Sequence, residues 1–413
     1  MISDLLTEMA GDVLGRREKF ATLAGQLGTP LYVFDEQLLI ERCERLKQAF
    51  AKFPVPVSAF YAVKSNNHPY VSKALVAQGI GLDISSGLEL ALALEAGARE
   101  IIFTGPGKTA SELEAATSAE VQPIIWLDSL TELKRLAGAA QEAKTPVRIG
   151  ARLNIQPDGL WRKFGIDINE LVAFIHKAQL CPFLDFCGIH FHSSWNMDAR
   201  AQTAIIESLG AKLSPLPEPV RQKIRIIDIG GGYWPEPGEL CWADGEAQMI
   251  MKRGLIDFDP AEFKRTFTPA VPIEQFAQEL GDAVEKYLGC LPLERVFIEP
   301  GRWLCSDSMS LIMRVTDKKM PDLVITDAGT NAIGWERFES DVFPVVNLTR
   351  PQLTERPCHL LGSLCTPHDV WGFSYFGAAI EEGDLLLVPS QGAYTWSLRQ
   401  EFIKPVPKVC RLG

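Results

Sequence analysis

No stretch of this 413-residue chain approaches the ~20 consecutive apolar residues that cross a bilayer, so a membrane-spanning helix is not expected. Blocks of Lys and Arg are missing too. The 41 basic residues stand against 52 acidic ones, a net charge of −11, which argues against a nucleic-acid partner. The opening segment, MISDLLTEMAGDVLGRREKF, lacks the basic start and unbroken apolar core of a signal peptide, because Asp4, Glu8 and Asp12 interrupt it. It reads as an amphipathic helix. The nine cysteines are odd in number and contain no CxxC pair, which disfavours a disulfide framework and a structural zinc site. Most of them read as buried thiols of a protein in a reducing cytoplasm. Internal repeats and low-complexity segments are also lacking.

What is there is an alternation. From about Val57 to Pro300, short apolar runs (VSAFYAV, IGLDI, EIIFTG, PIIWLD, VRIGARLN, FCGIHFH, IRIIDIG, VFIEP) are separated by segments of helical period. About eight successive βα units favour an α/β fold, a closed (β/α)8 TIM-like barrel over residues 37–300. After Arg302 the strands follow one another without long helices (SMSLIMRVTD, DLVITDAG, VFPVVNL, HLLGSLC, DLLLVPS), which reads as a mostly antiparallel β domain. The early strand TPLYVFD pairs into it, so residues 1–36 and 301–413 together build the second domain. The irregular stretch between Tyr233 and Pro272 reads as an insertion on the catalytic face.

Polar residues and glycines sit just after the barrel strands, where active sites of this architecture are built. Lys64 ends the run FYAVK, and an apolar wall there lowers an ammonium pKa and favours imine formation. Taken alone, a surface lysine at a strand end is the better reading. Gly230, Gly231 and Gly232 in IDIGGGY let backbone N–H groups approach a phosphate, although tight turns need glycine as well. Glu299 in VFIEPGRW can hold a pyridine nitrogen protonated, or can pair with Arg302. His190 and His192 alternate in GIHFHSS and so face one side of a strand. One of them can lie over a cofactor ring. Together they could also ligate zinc, but no recognised spacing supplies the remaining ligands.

The motifs YAVKSN, GLDISS, HFH, IDIGGG, EPGR, LC and GAY, in that order between about Thr29 and Tyr394, resemble the fold-type III pyridoxal-phosphate decarboxylases. That group contains diaminopimelate, ornithine and arginine decarboxylases, and seven matches in order are far more specific than any one. The resemblance implies an alanine racemase/ornithine decarboxylase-like architecture and pyridoxal 5'-phosphate as the cofactor. Lys64 is then the Schiff-base lysine and His192 the ring-stacking residue. Asp83, Ser194, the glycines 230–232, Glu299, Gly301, Arg302 and Tyr394 complete the cofactor site. It also implies a homodimer with shared sites, in which Cys365 enters the partner's site and returns a proton to Cα after CO2 leaves. No metal is expected.

Three departures bear on the substrate. Thr366 follows Cys365 where ornithine and diaminopimelate decarboxylases usually place an acid that reads a distal ammonium. An Arg-Pro-x-Leu-Tyr stretch that grips a distal carboxylate is replaced by sequence in which Arg337 is the nearby arginine. The usual His-x-Gly-Ser has become His192-Ser193-Ser194-Trp195, which reshapes the pocket. Losing a buried acid that pairs an ammonium costs several kcal/mol of discrimination, on the order of a thousandfold. The preferred substrate is thus a carboxylate conjugate such as a citryl-amino acid of siderophore biosynthesis, with Trp234 and Trp242 of the insertion offering a lid. The alternative is meso-diaminopimelate decarboxylation, with Asp369 restoring the lost charge. An amino-acid racemase and a non-catalytic cofactor-binding barrel are the rival classes, the racemase disfavoured by Glu299 because racemases of the alanine type place an arginine there.

Overall fold

The computed structural model describes residues 2–155, 158–245, 259–334 and 342–413. Along the chain come α1 (Ile2–Gly15), α2 (Arg17–Leu27), β1 (Leu31–Phe34) and α3 (Glu36–Phe50). Then follow β2 (Val57–Ala62), β3 (Gly81–Ile84), β4 (Ile101–Phe103), β5 (Ile124–Leu127), β6 (Val147–Arg152), β7 (Leu184–His190) and β8 (Ile226–Gly231). A hairpin of β9 (Gly238–Trp242) and β10 (Arg265–Pro269) precedes β11 (Arg295–Glu299). Strands β11 and β2 to β8 close into an eight-stranded parallel barrel in the order β11-β2-β3-β4-β5-β6-β7-β8.

Parallel strands buried on both faces need continuous apolar runs, and the burial pattern of β3, β4, β5 and β8 is unbroken. Phe60, Ile102, Ile124, Trp126, Cys187, Ile226 and Phe297 form one core cluster contributed by six of these strands. Local chemistry starts three covering helices in the same way. Ser86 accepts from the Glu89 N–H, Ser129 accepts from the Glu132 N–H, and Thr109 with Glu112 makes a full capping box. Each helix therefore begins a fixed distance beyond its strand, and the loops at the carboxyl ends of the strands are held short.

The second unit is built on an eight-stranded sheet. Its later strands are β12 (Met309–Met320), β13 (Leu323–Thr326), β14 (Val346–Asn347), β15 (Glu355–Leu361), β16 (Val370–Phe376), β17 (Leu385–Val388) and β18 (Lys408–Arg411). Their order is β13-β15-β16-β14-β17-β12-β1-β18. The sheet is mixed: β1 runs antiparallel to β12 but parallel to β18, and β13–β15 and β14–β16 are parallel as well. Helix α1 lays Leu6, Ala10 and Val13 on the apolar cluster that includes Leu31, Val33, Ile312 and Leu387.

The chain separates into a sheet unit of Met1–Leu39, Pro237–Pro269 and Cys305–Gly413 and a barrel unit of Ile40–Glu236 and Ala270–Leu304. The stretch read from sequence as an insertion on the catalytic face thus groups, for the most part, with the sheet unit. Trp242 is not a lid residue: it is 3% exposed and packs edge-on against Phe263 and Phe373, which stack on each other at 3.9 Å. The cysteine expectation needs correction too. Only Cys43, Cys187, Cys305 and Cys358 are buried, while Cys290 and Cys365 are exposed. No helix among the described residues is long and apolar enough to cross a membrane.

Candidate active site

Because all the barrel strands are parallel, their carboxyl ends share one rim, and the side chains singled out from the barrel sequence gather there. Strand β2 gives way at Ala62 to a single tight turn, Val63–Ser65, whose flanking residues are buried while the Lys64 side chain stays 39% exposed. Its Nζ lies 3.3 Å from Asp83 Oδ2 at the end of β3. The other Asp83 oxygen accepts the Thr104 hydroxyl at 2.6 Å. Burial pushes the Asp83 carboxyl up to about 7, with Glu299 adding to the rise and Lys64 and Thr104 opposing it.

This shift has a testable consequence. A carboxyl that holds its proton more tightly when folded favours folding below its unfolded pKa of about 4, and that contribution is lost as pH rises through the folded value. In urea unfolding of the cofactor-free protein, stability of the wild type relative to Asp83→Asn should fall from about pH 5 to about pH 8. A difference that stays constant over that range would contradict the raised carboxyl.

Glu299, at the end of β11, is the centre of the second cluster. Its Oε2 lies 3.1 Å from His192 Nδ1, and its Oε1 lies 3.3 Å from His190 Nε2. Burial drives the His192 imidazole down to about 4 and lowers His190 as well, with Glu299 opposing the shift at both rings. Burial alone would raise the Glu299 carboxyl, but the two imidazoles outweigh it and hold the group well below the usual carboxylate range. His190 is the deeper ring, 1% exposed and 5.7 Å from Trp126. His192 is half-buried, with Nε2 3.3 Å from the Ser194 hydroxyl.

Both remaining elements are backbone devices. Gly230 and Gly232 have φ of +68° and +81°. A Cβ on Gly231 would lie 2.1 Å from the Glu299 carbonyl, and one on Gly232 would lie 2.3 Å from the Ser193 carbonyl. Side chains are excluded from this loop on steric grounds, which leaves a backbone cradle beside His192. At Gly301 a Cβ would strike Ser65 Oγ at 2.0 Å, so the EPGR turn packs directly on the residue after Lys64.

These features fit pyridoxal phosphate on physical grounds. A half-exposed amine stands at a strand end beside a carboxyl. The buried Glu299 is ionised, and its Oε1 completes no hydrogen bond among the described residues, which leaves an acceptor for a ring N–H. The glycine cradle suits a phosphate. Distance alone would also let His190, His192 and Glu299 hold a cation, since their ligand atoms lie within 4.8 Å of one another. A structural zinc takes four ligands, and no fourth His, Cys, Asp or Glu joins this group among the described residues.

Other site residues named from sequence lie in the sheet unit. Cys365 is exposed on the β15–β16 turn, and Thr366 accepts the His368 N–H on its hydroxyl. Asp369, the candidate ammonium anchor, is 2% exposed, and its two oxygens accept the Thr330 and Leu364 N–H groups at 2.7 and 2.6 Å. Tyr394 is half-buried with φ of +55°. Arg337 lies outside the described residues.

The sequence reading missed a buried ionic network behind the rim. Lys108 Nζ donates to the carbonyls of Gly105 and Trp126, both at 2.7 Å, and lies 3.4 Å from Glu132. Asp128 accepts the Gly165 N–H, and Arg152 lies 4.0 Å from Asp128 with its guanidinium over Phe164. Asp228 was missed as well. It is fully buried, accepts the Gly230 N–H at 3.0 Å, and has its carboxyl raised by burial. Charged residues directly after apolar strands were the available signal.

Comparison with known proteins agrees with this geometry. Residues 36–239 match the family described as pyridoxal-dependent decarboxylase, pyridoxal binding domain. The chain is 28% identical over 403 residues to a diaminopimelate decarboxylase of Aquifex aeolicus, covering 92% of this chain and 85% of that one. It is 27% identical over 405 residues to an L-glutamyl-[BtrI acyl-carrier protein] decarboxylase of Niallia circulans, covering 91% and 86%. A solved diaminopimelate decarboxylase from M. jannaschi superposes with a TM-score of 0.80 over 94% of this chain and 88% of its own, at 22% identity. With its closed barrel, its separate sheet and its lysine, glycine and glutamate motifs in order, the chain belongs to the fold-type III pyridoxal-phosphate-dependent amino-acid decarboxylases.

Proposed function

We propose that this decarboxylase acts on an amino acid whose far end carries a carboxylate, with meso-diaminopimelate as the leading substrate. The supporting observation is Arg302, directly beyond the strand end that supplies Glu299. Its guanidinium carbon sits 4.2 Å from the Trp234 ring centroid, a stacking contact that fixes a cation where a distal carboxylate can meet it. The citryl-conjugate reading preferred on sequence grounds has no counterpart among the relatives named above, whereas diaminopimelate has, and the order of the two is reversed accordingly.

When bound, the cofactor supplies an electron sink for the pair left on Cα as CO2 departs. Lys64 is the residue to hold its aldehyde carbon, with Asp83 steering the amine. Glu299 would accept the pyridine N–H, His192 would cover the ring, and the glycine amides with the Ser194 hydroxyl would take the phosphate. Cys365 returns a proton to Cα, and with Tyr394 it serves the partner's site in a homodimer.

A second reading has its own observation. Thr366 replaces the acid that reads a distal ammonium, and an aminoacyl group on a carrier protein, as in the Niallia circulans relative, carries a linkage where diaminopimelate carries an ammonium-bearing end. Steady-state CO2 release separates the readings. The kcat/KM for meso-diaminopimelate should exceed those for L-lysine and L-ornithine by at least roughly tenfold, since neither of these offers Arg302 a distal carboxylate. Comparable values across the three, or racemised substrate without CO2, would overturn the proposal.

A further inference from the structure

One wall of the barrel mouth carries more aromatic surface than cofactor binding requires. Trp195 has a φ of +55°, in the left-handed region that a bulky side chain rarely adopts and that persists only where the surroundings enforce it. Its indole is 49% exposed. That ring stacks on Trp234 with centroids 6.4 Å apart and planes 26° apart. Trp234 in turn lies under the Arg302 guanidinium, 4.2 Å from its centroid.

Trp195, Trp234 and Arg302 follow His192, Gly232 and Glu299 by three, two and three residues, just beyond the adjacent strands β7, β8 and β11. Their backbones are tied to the glycine loop. The Asn196 N–H donates to the Gly232 carbonyl at 2.9 Å, and the Trp234 N–H donates to the Asn196 carbonyl at 3.1 Å. The stack is therefore as fixed as the phosphate cradle itself.

We infer that Trp195 and Trp234, with Arg302, form an aromatic shelf that binds a planar acidic arm attached to the reacting amino acid, an amide- or ester-linked extension ending in a carboxylate. This rests on reading the barrel mouth as the amino-acid site of the decarboxylase. Indole faces stack on the flat surface of an amide or ester, and a stacked guanidinium beside them favours a terminal carboxylate and repels a terminal ammonium. A tryptophan serving only to brace the glycine loop would gain most from burial, yet Trp195 keeps half of its surface in solvent on a strained backbone.

The test uses the full-length, cofactor-loaded protein and two probes. meso-Diaminopimelate has no arm, whereas γ-L-glutamyl-β-alanine carries an amide plane and a terminal carboxylate. Trp195→Gly removes the indole while suiting the left-handed backbone, and Trp195→Tyr restores a ring. The glycine variant should lose about fivefold to tenfold in kcat/KM on the armed probe, chiefly through KM, with a smaller loss on diaminopimelate. The tyrosine variant should recover most of that loss. Equal losses on both probes would mean a bracing role and overturn the shelf, as would unchanged selectivity. Tryptophan fluorescence gives a readout that needs no turnover. Quenching by the armed probe that weakens in Trp195→Gly supports the shelf, and no quenching of the wild type overturns it. Absence of CO2 from every amino acid tried would count against the decarboxylase reading alone.

Discussion

Replacing Lys64 with alanine is expected to lower turnover by roughly a thousandfold, because in the proposed mechanism one side chain supplies both the covalent hold on the cofactor and a mobile amine at the reacting carbon. The geometry leaves no substitute close by. Lys108, the other lysine behind this rim, is buried, with its ammonium spent on the carbonyls of Gly105 and Trp126 and on Glu132. The Lys64 side chain is 39% exposed, and its short turn is fixed by the buried neighbours Val63 and Ser65, so the substitution should leave the barrel intact. Stopped-flow and steady-state CO2 assays, with far-UV circular dichroism as the folding control, read the effect. A variant that keeps a tenth or more of wild-type turnover would remove Lys64 from the chemistry.

Glu299→Gln is expected to lower kcat by roughly a hundredfold while KM and cofactor content change little, since charge at the pyridine nitrogen matters mainly in the transition state. Glutamine has the same shape, and its amide can still meet the imidazoles of His190 and His192, so packing is conserved where Glu299 is 2% exposed. What is lost is a carboxylate that those imidazoles hold ionised against the pull of burial. A kcat within about twofold of the wild type would make the residue a structural partner of the histidines instead.

Much of this was legible in the sequence, and for identifiable reasons. Barrel strands are locally determined: each needs an apolar run, and runs such as IGLDI and PIIWLD state it within a few residues. The barrel motifs stand out because Lys64, Asp83, His192, Gly230 and Glu299 each sit within two residues of a strand end, whereas Cys365 and Tyr394 lie in longer connections. Pairing in the sheet unit is not local. Nothing in TPLYVFD tells that β1 has an antiparallel neighbour on one side and the parallel β18 on the other. Trp242 was misplaced for the same reason, since its partners Phe263 and Phe373 are distant in sequence. Asp369 reads in sequence as an acid beside Cys365, and only the fold shows that its oxygens accept the Thr330 and Leu364 N–H groups. The choice between His190 and His192 needed depth, and only packing against Trp126 separates the inner ring from the outer one.

The most direct test of the account is chemical trapping of the cofactor. The protein is loaded with pyridoxal 5'-phosphate, reduced with borohydride, digested and mapped by mass spectrometry. The account predicts the phosphopyridoxyl label on the peptide that carries YAVKSN, at Lys64. A label on any other lysine, or none at all on a protein that releases CO2 from amino acids, would contradict it.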